Sequence, residues 1–460
     1  MYKLHFFALV MALHLVAWAW LSAKNKHAGF LLVSLFVVSI PLQIQLNLKT
    51  PAFFTHAGTL GNEFFVPFAF FLFVGITFFR LGRLKRSRAG FSPSNWITVT
   101  CVLILISLFN PNNESPTASL IFALFFISNV LLFKLLAGIL DYDDTLKGVF
   151  YGLAFLTVVH MLLAILFPIL NVEAVTGFFK KEGQESATRY GSRASAAIGT
   201  LVHPNSLALF TNIASSFFLS CRLNRYRTRA SLVLLGMSAL LIMLTFSRSS
   251  YLAFLCIMAF LWFVHKNAHQ NFLTLGNVAK FGFPVVVVLV WVVFFSPFSE
   301  MFLQSDASDQ LENRVLHWLM ALEGFYASPL IGVGMNAHLE FFADHYYLIS
   351  HLAPPDFFLE HQVHNIHFIM LLETGLLGFT AWMIFLGKNM ADSKKDLAGE
   401  RNQVLALTQM GLTVAIAING FTDWAPFSSE ILPIFLFINF LAIKYREAFR
   451  GYPAGVPVHT

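Results

Sequence analysis

The chain has 460 residues, of which 57% are hydrophobic and only 12% are charged. A soluble domain carries roughly 25% charged residues, so these values exclude a soluble globular enzyme. The net charge of +6 does not indicate a nucleic-acid partner, because basic residues of membrane proteins gather on the cytoplasmic side for topological reasons. The apolar residues form long unbroken runs and not short alternating segments, which indicates a helical membrane protein.

Thirteen apolar runs are long enough to cross a bilayer. They predict an all-α polytopic membrane protein with about 12 or 13 transmembrane helices. They also divide the chain into N-terminal and central helices over 1–296, a large loop over 297–364, and C-terminal helices with a tail over 365–460. In chain order the runs lie near residues 5–22, 28–46, 61–80, 94–109, 118–140, 145–170, 196–220, 231–246, 249–265, 278–296, 365–387, 403–421 and 429–445.

Basic residues are divided unequally between the two sides that these runs define. Connections after odd-numbered runs hold 22 Lys and Arg, whereas connections after even-numbered runs hold seven. By the positive-inside rule the odd side, with the carboxyl terminus, is cytoplasmic. The even side, with the loop 297–364, is therefore expected to be periplasmic.

The seven basic residues on the even side oppose this rule. Such residues cost free energy near the membrane unless an anion receives them. Acids such as Glu182 and Glu185 could pair with some of them, but the stretch Thr245–Ser250 around Arg248 contains no acid. The seven are Lys49, Lys180, Lys181, Arg189, Arg193, Arg248 and Arg314.

The large loop carries nine acids and a single basic residue, Arg314. Asp309 with Glu312 fits a capping box, so we expect a helix to begin there and to end at Ser328-Pro329. Arg314 borders its apolar stripe, where it could bind an anionic ligand or pair with one of the loop acids. The stripe that helical spacing predicts consists of Leu311, Val315, Trp318, Leu319, Leu322, Phe325 and Tyr326.

Histidines are concentrated in the same loop, at 317, 338, 345, 351, 361 and 364, with His367 just beyond. His361, His364 and His367 recur every three residues, which could present zinc ligands. The pattern lacks the intervening Glu of HExxH, and we predict no metal site. A general base is an alternative, with Glu360 four residues before His364 to orient it. A further alternative is an interfacial histidine that only ends a helix.

Four motifs in order resemble the O-antigen ligase and polymerase superfamily. His364-Asn365, nine residues, Gly375, two residues and Gly378 match the His-Asn pattern of the O-antigen ligases. Thr245-Phe-Ser-Arg-Ser249 is similar to a helix-junction motif of the superfamily. Glu312-Asn-Arg314, with Trp318 and Ser328–Gly334, resembles the start of its large loop. Gly199–Asn205, after Arg193, is similar to the segment that opens its central membrane domain.

The resemblance implies an inverting glycosyltransferase of the GT-C kind that needs no metal and no cofactor. It implies that glycan arrives on undecaprenyl diphosphate and is joined to lipid A-core oligosaccharide at the periplasmic face of a bacterial inner membrane. His364 matches the family's catalytic histidine, and Arg248 and Arg314 match its functional arginines. We expect substrate contacts from Arg189, Arg193, Arg248, Arg314 and Asn365, since guanidinium groups bind phosphate oxygens in pairs.

Three alternative functions remain open at this level. An O-antigen polymerase or a protein O-oligosaccharyltransferase would use the same donor with a different acceptor, and the His-Asn motif favours the ligase. A lipid-linked oligosaccharide transporter would line a central path with polar residues from several spans. Here most spans are uniformly apolar, and the polar features gather on one side.

Overall fold

The computed structural model describes residues 29–40, 45–49, 63–67, 96–170, 197, 201, 203–268, 305–352, 363–398, 402–428 and 430–449. Short 3₁₀ turns cover Tyr346–Leu348 and Ala425–Phe427. The helices and strands are, in chain order, α1 (Gly29–Ser39), β1 (Gln45–Lys49), β2 (Glu63–Pro67), α2 (Trp96–Ser107), α3 (Pro116–Ile139), α4 (Tyr142–Leu170), α5 (Pro204–Leu223), α6 (Thr228–Leu244), α7 (Arg248–Lys266), α8 (Ser305–Ala327), α9 (His338–Asp344), α10 (Ile366–Ala398), α11 (Gln403–Gly420) and α12 (Leu432–Phe449).

The helical membrane fold predicted from the sequence is confirmed. Within the described ranges, six helices are long and apolar enough to cross a membrane: α3, α4, α5, α7, α10 and α11. Two predicted spans differ from the structure. The run 28–46 contains α1 and the start of β1, and the run 61–80 contains β2, which pairs antiparallel with β1. Polar residues at every second position of Gln43–Asn47 interrupt the helical pattern and favour strand pairing there.

The centre of the bundle is α5, which packs against α6, α7 and α11. Its Phe210, Phe217 and Phe218 are fully buried. Three of its hydroxyl groups, on Thr211, Ser216 and Ser220, donate to carbonyls one turn earlier, as Thr211 does to Leu207 at 2.7 Å. Hydrogen bonds within the helix therefore satisfy polar side chains that lipid could not.

One end of the bundle is closed by a buried polar network around Arg446 of α12. Its Nε donates to Asp396 Oδ2 at 2.5 Å and its Nη2 donates to Gln409 Oε1 at 2.7 Å. The Tyr445 hydroxyl donates to the Leu140 carbonyl at 3.1 Å. The structure thus brings together, at this end, chain segments that the basic-residue asymmetry assigned to one side.

The other end, which we call the site face, consists of the connections 108–115, 244–248, 328–337, 363–365 and 421–428. Asn110 donates to Ser328 Oγ at 2.6 Å. Ala197 N donates to the Leu244 carbonyl at 3.0 Å. These connections follow even-numbered runs, so the structure groups them as the sequence predicts.

One expectation for α8 is wrong. The helix begins at Ser305, so Asp309 and Glu312 lie inside it and do not form a capping box at its start. The predicted apolar stripe is partly exposed in the structure, at Val315, Leu319 and Tyr326. Periodicity shows which face of a helix is apolar, but it does not show what that face contacts.

Candidate active site

Three of the predicted site residues lie at helix ends on the site face, and a fourth lies inside a helix. His364 and Asn365 directly precede α10, Arg248 is the first residue of α7, and Arg314 lies in α8. Arg189 and Arg193 lie outside the described residues.

Asn365 holds the start of α10 in place. Its Oδ1 accepts hydrogen bonds from the backbone N–H groups of His367, at 2.9 Å, and Phe368, at 3.2 Å. This is an N-cap, which supplies a partner for backbone donors that the helix leaves unpaired. The side chain is fully buried. The side chain thus orients the adjacent His364, and its substrate contact stays a prediction.

His364 lies against a second histidine. The rings of His317 and His364 meet edge to face, with centroids 5.8 Å apart and planes at 78°. His317 is 3% exposed, whereas His364 is half-buried. The sequence analysis named His317 only as one of six loop histidines. A signal was available, because His317 lies one turn after Arg314 and so on a neighbouring part of the same helix surface.

Two further contacts dock α8 on the start of α10. The rings of Trp318 and Phe368 stack with centroids 5.8 Å apart and planes at 26°. A Cβ added to Gly324 would overlap Leu372, so the two helices approach closely there. This docking brings His317 against His364, and Arg314 lies one turn before His317 on the same helix.

The helices of Arg248 and His364 both dock on the last turn of α11. Ser250 Oγ, in the first turn of α7, donates to Asn419 Oδ1 at 2.7 Å. His367 Nε2, in the first turn of α10, lies 3.2 Å from the Ala417 carbonyl. The first turns of α7 and α10 therefore meet the same short segment, 417–420.

The start of α5 joins the same region. His203 caps this helix, with its Nδ1 accepting from Asn205 N at 3.1 Å. The Asn205 side chain donates to Asp423 in the connection after α11. The amino-terminal ends of α5, α7 and α10 therefore all lie on the site face. Helix amino termini carry partial positive charge, so this face favours an anionic ligand.

A break in α10 lets the segment 329–334 cross it. Gly375 has φ 64° and ψ −172°, which no helix contains. Across the break, Val333 N donates to the Leu372 carbonyl at 3.0 Å and Leu376 N donates to the Pro329 carbonyl at 2.8 Å. Gly332 has φ 71°, and a Cβ there would overlap the carbonyl group of Glu373. Two motifs that the sequence analysis treated separately are thus one interlocked unit.

A buried pair lies beside this crossing. His338 Nδ1 and Glu373 Oε1 are 2.6 Å apart, and both side chains are almost fully buried. The sequence analysis did not single out Glu373, although an acid inside an apolar run is itself a signal. The pair ties α9 to the last turn of α10 before the break.

The histidines of the predicted HxxHxxH pattern have different partners. His364 contacts His317, whereas His367 lies against the Ala417 carbonyl and the ring of Phe421, at a centroid distance of 4.6 Å. His361 lies outside the described residues. In the ranges that the structure describes, no group of three His, Cys, Asp or Glu is placed to hold a metal ion.

A comparison with protein families gives a match. The family model described as O-Antigen ligase matches residues 230–383. A comparison with curated proteins gives no match. The matched range runs from α6 into the middle of α10 and includes Arg248, Arg314, His364 and the break at Gly375. This domain supports membership of the chain in the O-antigen ligase superfamily.

Proposed function

We propose that the protein is an O-antigen ligase that transfers O-antigen polysaccharide from undecaprenyl diphosphate to lipid A-core oligosaccharide. The observation that carries the proposal is the contact of His317 with His364 where α8 docks on the start of α10, with Arg314 one turn before His317 on the same helix. An imidazole can accept a proton near neutral pH, and this contact lies within the matched domain.

In this proposal His364 removes the proton of the acceptor hydroxyl as that oxygen attacks the anomeric carbon. The diphosphate leaves with the bonding electrons, so negative charge develops on it. Arg248 and Arg314 stabilise that charge, together with Arg193 and Arg189, and the helix amino termini add to the same effect. A single in-line displacement inverts the configuration at the anomeric carbon.

The site face is proposed to be periplasmic and the Arg446 end cytoplasmic, in the inner membrane. The 22-to-7 division of basic residues supports this orientation. A reporter enzyme active only in the cytoplasm, fused to the carboxyl terminus, should be active. Activity of a periplasm-specific reporter at that position would contradict the orientation.

The decisive experiment supplies purified full-length protein with the lipid-linked donor and lipid A-core. We expect transfer by the wild type, loss of transfer in His364→Ala, and near-normal transfer in the control variant His351→Ala. His351 belongs to the same loop and is exposed. Undiminished transfer by His364→Ala would remove the base assignment.

The acceptor distinguishes the ligase from a polymerase or a protein O-oligosaccharyltransferase. A polymerase would join two lipid-linked glycans when lipid A-core is omitted, and an oligosaccharyltransferase would label an acceptor protein. Product formed only with lipid A-core supports the ligase, whereas product formed without it contradicts the ligase.

A further inference from the structure

The two faces of α8 are opposite in character. Its buried face consists of His317, Met320, Ala321 and Gly324, which recur at helical spacing and contact the protein. This face holds small or polar residues beside one methionine. Apart from Met320 and Trp318, which stacks on Phe368, large apolar residues are absent from the contacts described here between α8 and the bundle.

The outward face of α8 carries an apolar row that nothing in the described structure covers. Val315 is 40% exposed, Leu319 is 41% exposed and Tyr326 is 72% exposed. Their spacing of four and seven residues places them on one side of the helix. Contiguous exposed apolar surface of this kind marks a contact with another apolar phase.

This row continues into a surface that belongs to a membrane span. Leu330, just beyond α8, is 61% exposed, and its carbonyl accepts from Leu377 N of α10 at 3.2 Å. Leu376 and Leu377 are about half exposed, and Met383 and Ile384 follow further along α10. Because α10 is long and apolar enough to cross a membrane, its exposed leucines and isoleucines face lipid.

We propose that the row formed by Val315, Leu319 and Tyr326 lies against lipid acyl chains of the leaflet on the site face. This makes α8 an interfacial helix, with one side on the protein and the other in the bilayer. Its polar border fits this position, because the carboxylate of Glu323 lies 3.9 Å from His351 Nε2 and both side chains are exposed. A tyrosine at the end of the row suits the boundary between lipid and water.

This position of α8 has a consequence for the depth of the candidate site in the membrane. Arg314 and His317 are on the same helix, so the seating of α8 in the leaflet also sets their depth. A ligand held by Arg314 is then bound where lipid headgroups lie. The proposed contact of α8 with lipid is argued only from α8 and α10, so it goes beyond the proposed reaction. It can be confirmed or contradicted independently of that reaction.

The test uses single-cysteine variants of the full-length protein in lipid nanodiscs. The native Cys101, Cys221 and Cys256 are replaced by serine, and Val315→Cys, Leu319→Cys and Tyr326→Cys each carry an environment-sensitive fluorophore. Lipids with a nitroxide at a shallow or a deep acyl position then report contact and depth. The matched control is Asp344→Cys, an exposed charged position on α9.

We expect blue-shifted emission and strong quenching at all three row positions, with depths roughly 5–10 Å below the headgroups, and neither effect at the control. Water-like emission at the row would overturn the proposal. Blue-shifted emission that lipid nitroxides do not quench would also overturn it, because a second copy or the chain segment 269–304 would then cover the row. No outcome depends on enzymatic activity, so a failed transferase assay leaves this result unaffected.

Discussion

The imidazole rings of His317 and His364 meet edge to face at a centroid distance of 5.8 Å. One ring is buried in the surface of α8 and the other stands at the start of α10, next to the capping residue Asn365. Two different elements therefore determine the orientation of the proposed base.

We predict that His317→Ala lowers the turnover rate of transfer by roughly 10- to 100-fold, because a small displacement of His364 is costly in catalysis. His317→Phe keeps an aromatic ring in place and should recover most of the rate. Donor KM should change little in either variant. Steady-state kinetics with lipid-linked donor checks this, with His351→Ala as the control. An equal loss of turnover rate in the Ala and Phe variants would show that the ring contact of His317 with His364 does not determine the rate.

Substitution of the arginines should weaken donor binding, whereas substitution of His364 should leave donor binding nearly intact. We expect Arg314→Ala and Arg248→Ala each to weaken donor binding by roughly 10- to 150-fold, since a charge-assisted contact contributes about 1.5 to 3 kcal/mol. Lysine at either position should recover little, because it lacks the planar fork. Binding of labelled undecaprenyl diphosphate donor to solubilised variants measures this. His364→Ala should bind donor nearly normally, and unchanged affinity in both arginine variants would contradict the anion-binding role.

The place where the segment 329–334 crosses the break in α10 should not tolerate a side chain at Gly332 or Gly375. Gly332→Ala places a Cβ on the Glu373 carbonyl group and forces φ 71° on alanine, and Gly375→Ala meets the Leu330 backbone in the same way. We expect each to destabilise the protein by at least about 1–3 kcal/mol. Gly387→Ala is the matched control in α10, where an added Cβ meets nothing within 4 Å. Thermal denaturation in detergent compares the three, and a normal midpoint in the crossing variants would refute the interlock.

The buried pair of His338 and Glu373 should show coupling. Removing one partner leaves a buried polar group without its contact, at a cost of roughly 3–5 kcal/mol. We predict that His338→Phe and Glu373→Leu each lower the unfolding midpoint and that the double variant recovers part of the loss. A double-mutant cycle of thermal midpoints measures the coupling. Strict additivity would mean that the two side chains do not stabilise each other.

Transfer should survive removal of divalent cations. In the proposed reaction, the arginines and helix amino termini would supply the positive charge that a metal could otherwise bring to a departing diphosphate. We expect the initial rate to be unchanged in excess EDTA. Loss of the rate, with recovery on adding magnesium, manganese or zinc, would contradict this and revive the predicted alternative of a histidine metal site.

The sequence by itself determined the helical membrane fold and which connections share a face. Both follow from local properties. Lipid offers no hydrogen bonds, so the backbone of each apolar run must form its hydrogen bonds within a helix, and basic residues gather on the cytoplasmic side of the membrane. The sequence also predicted Arg248, Arg314 and His364 as site residues, because their motifs are contiguous, and their roles stay predictions. It did not reveal the strand β2, since a short apolar run is compatible with either secondary structure.

Only the tertiary structure decided how separate elements meet. The contact of His317 with His364 joins residues 47 positions apart, and the crossing at Gly375 depends on hydrogen bonds between two distant motifs. The outward row of α8 shows the physical reason most clearly. In a membrane protein both the core and the lipid accept apolar side chains, so the pattern of Val315, Leu319 and Tyr326 predicts an apolar face but not its partner.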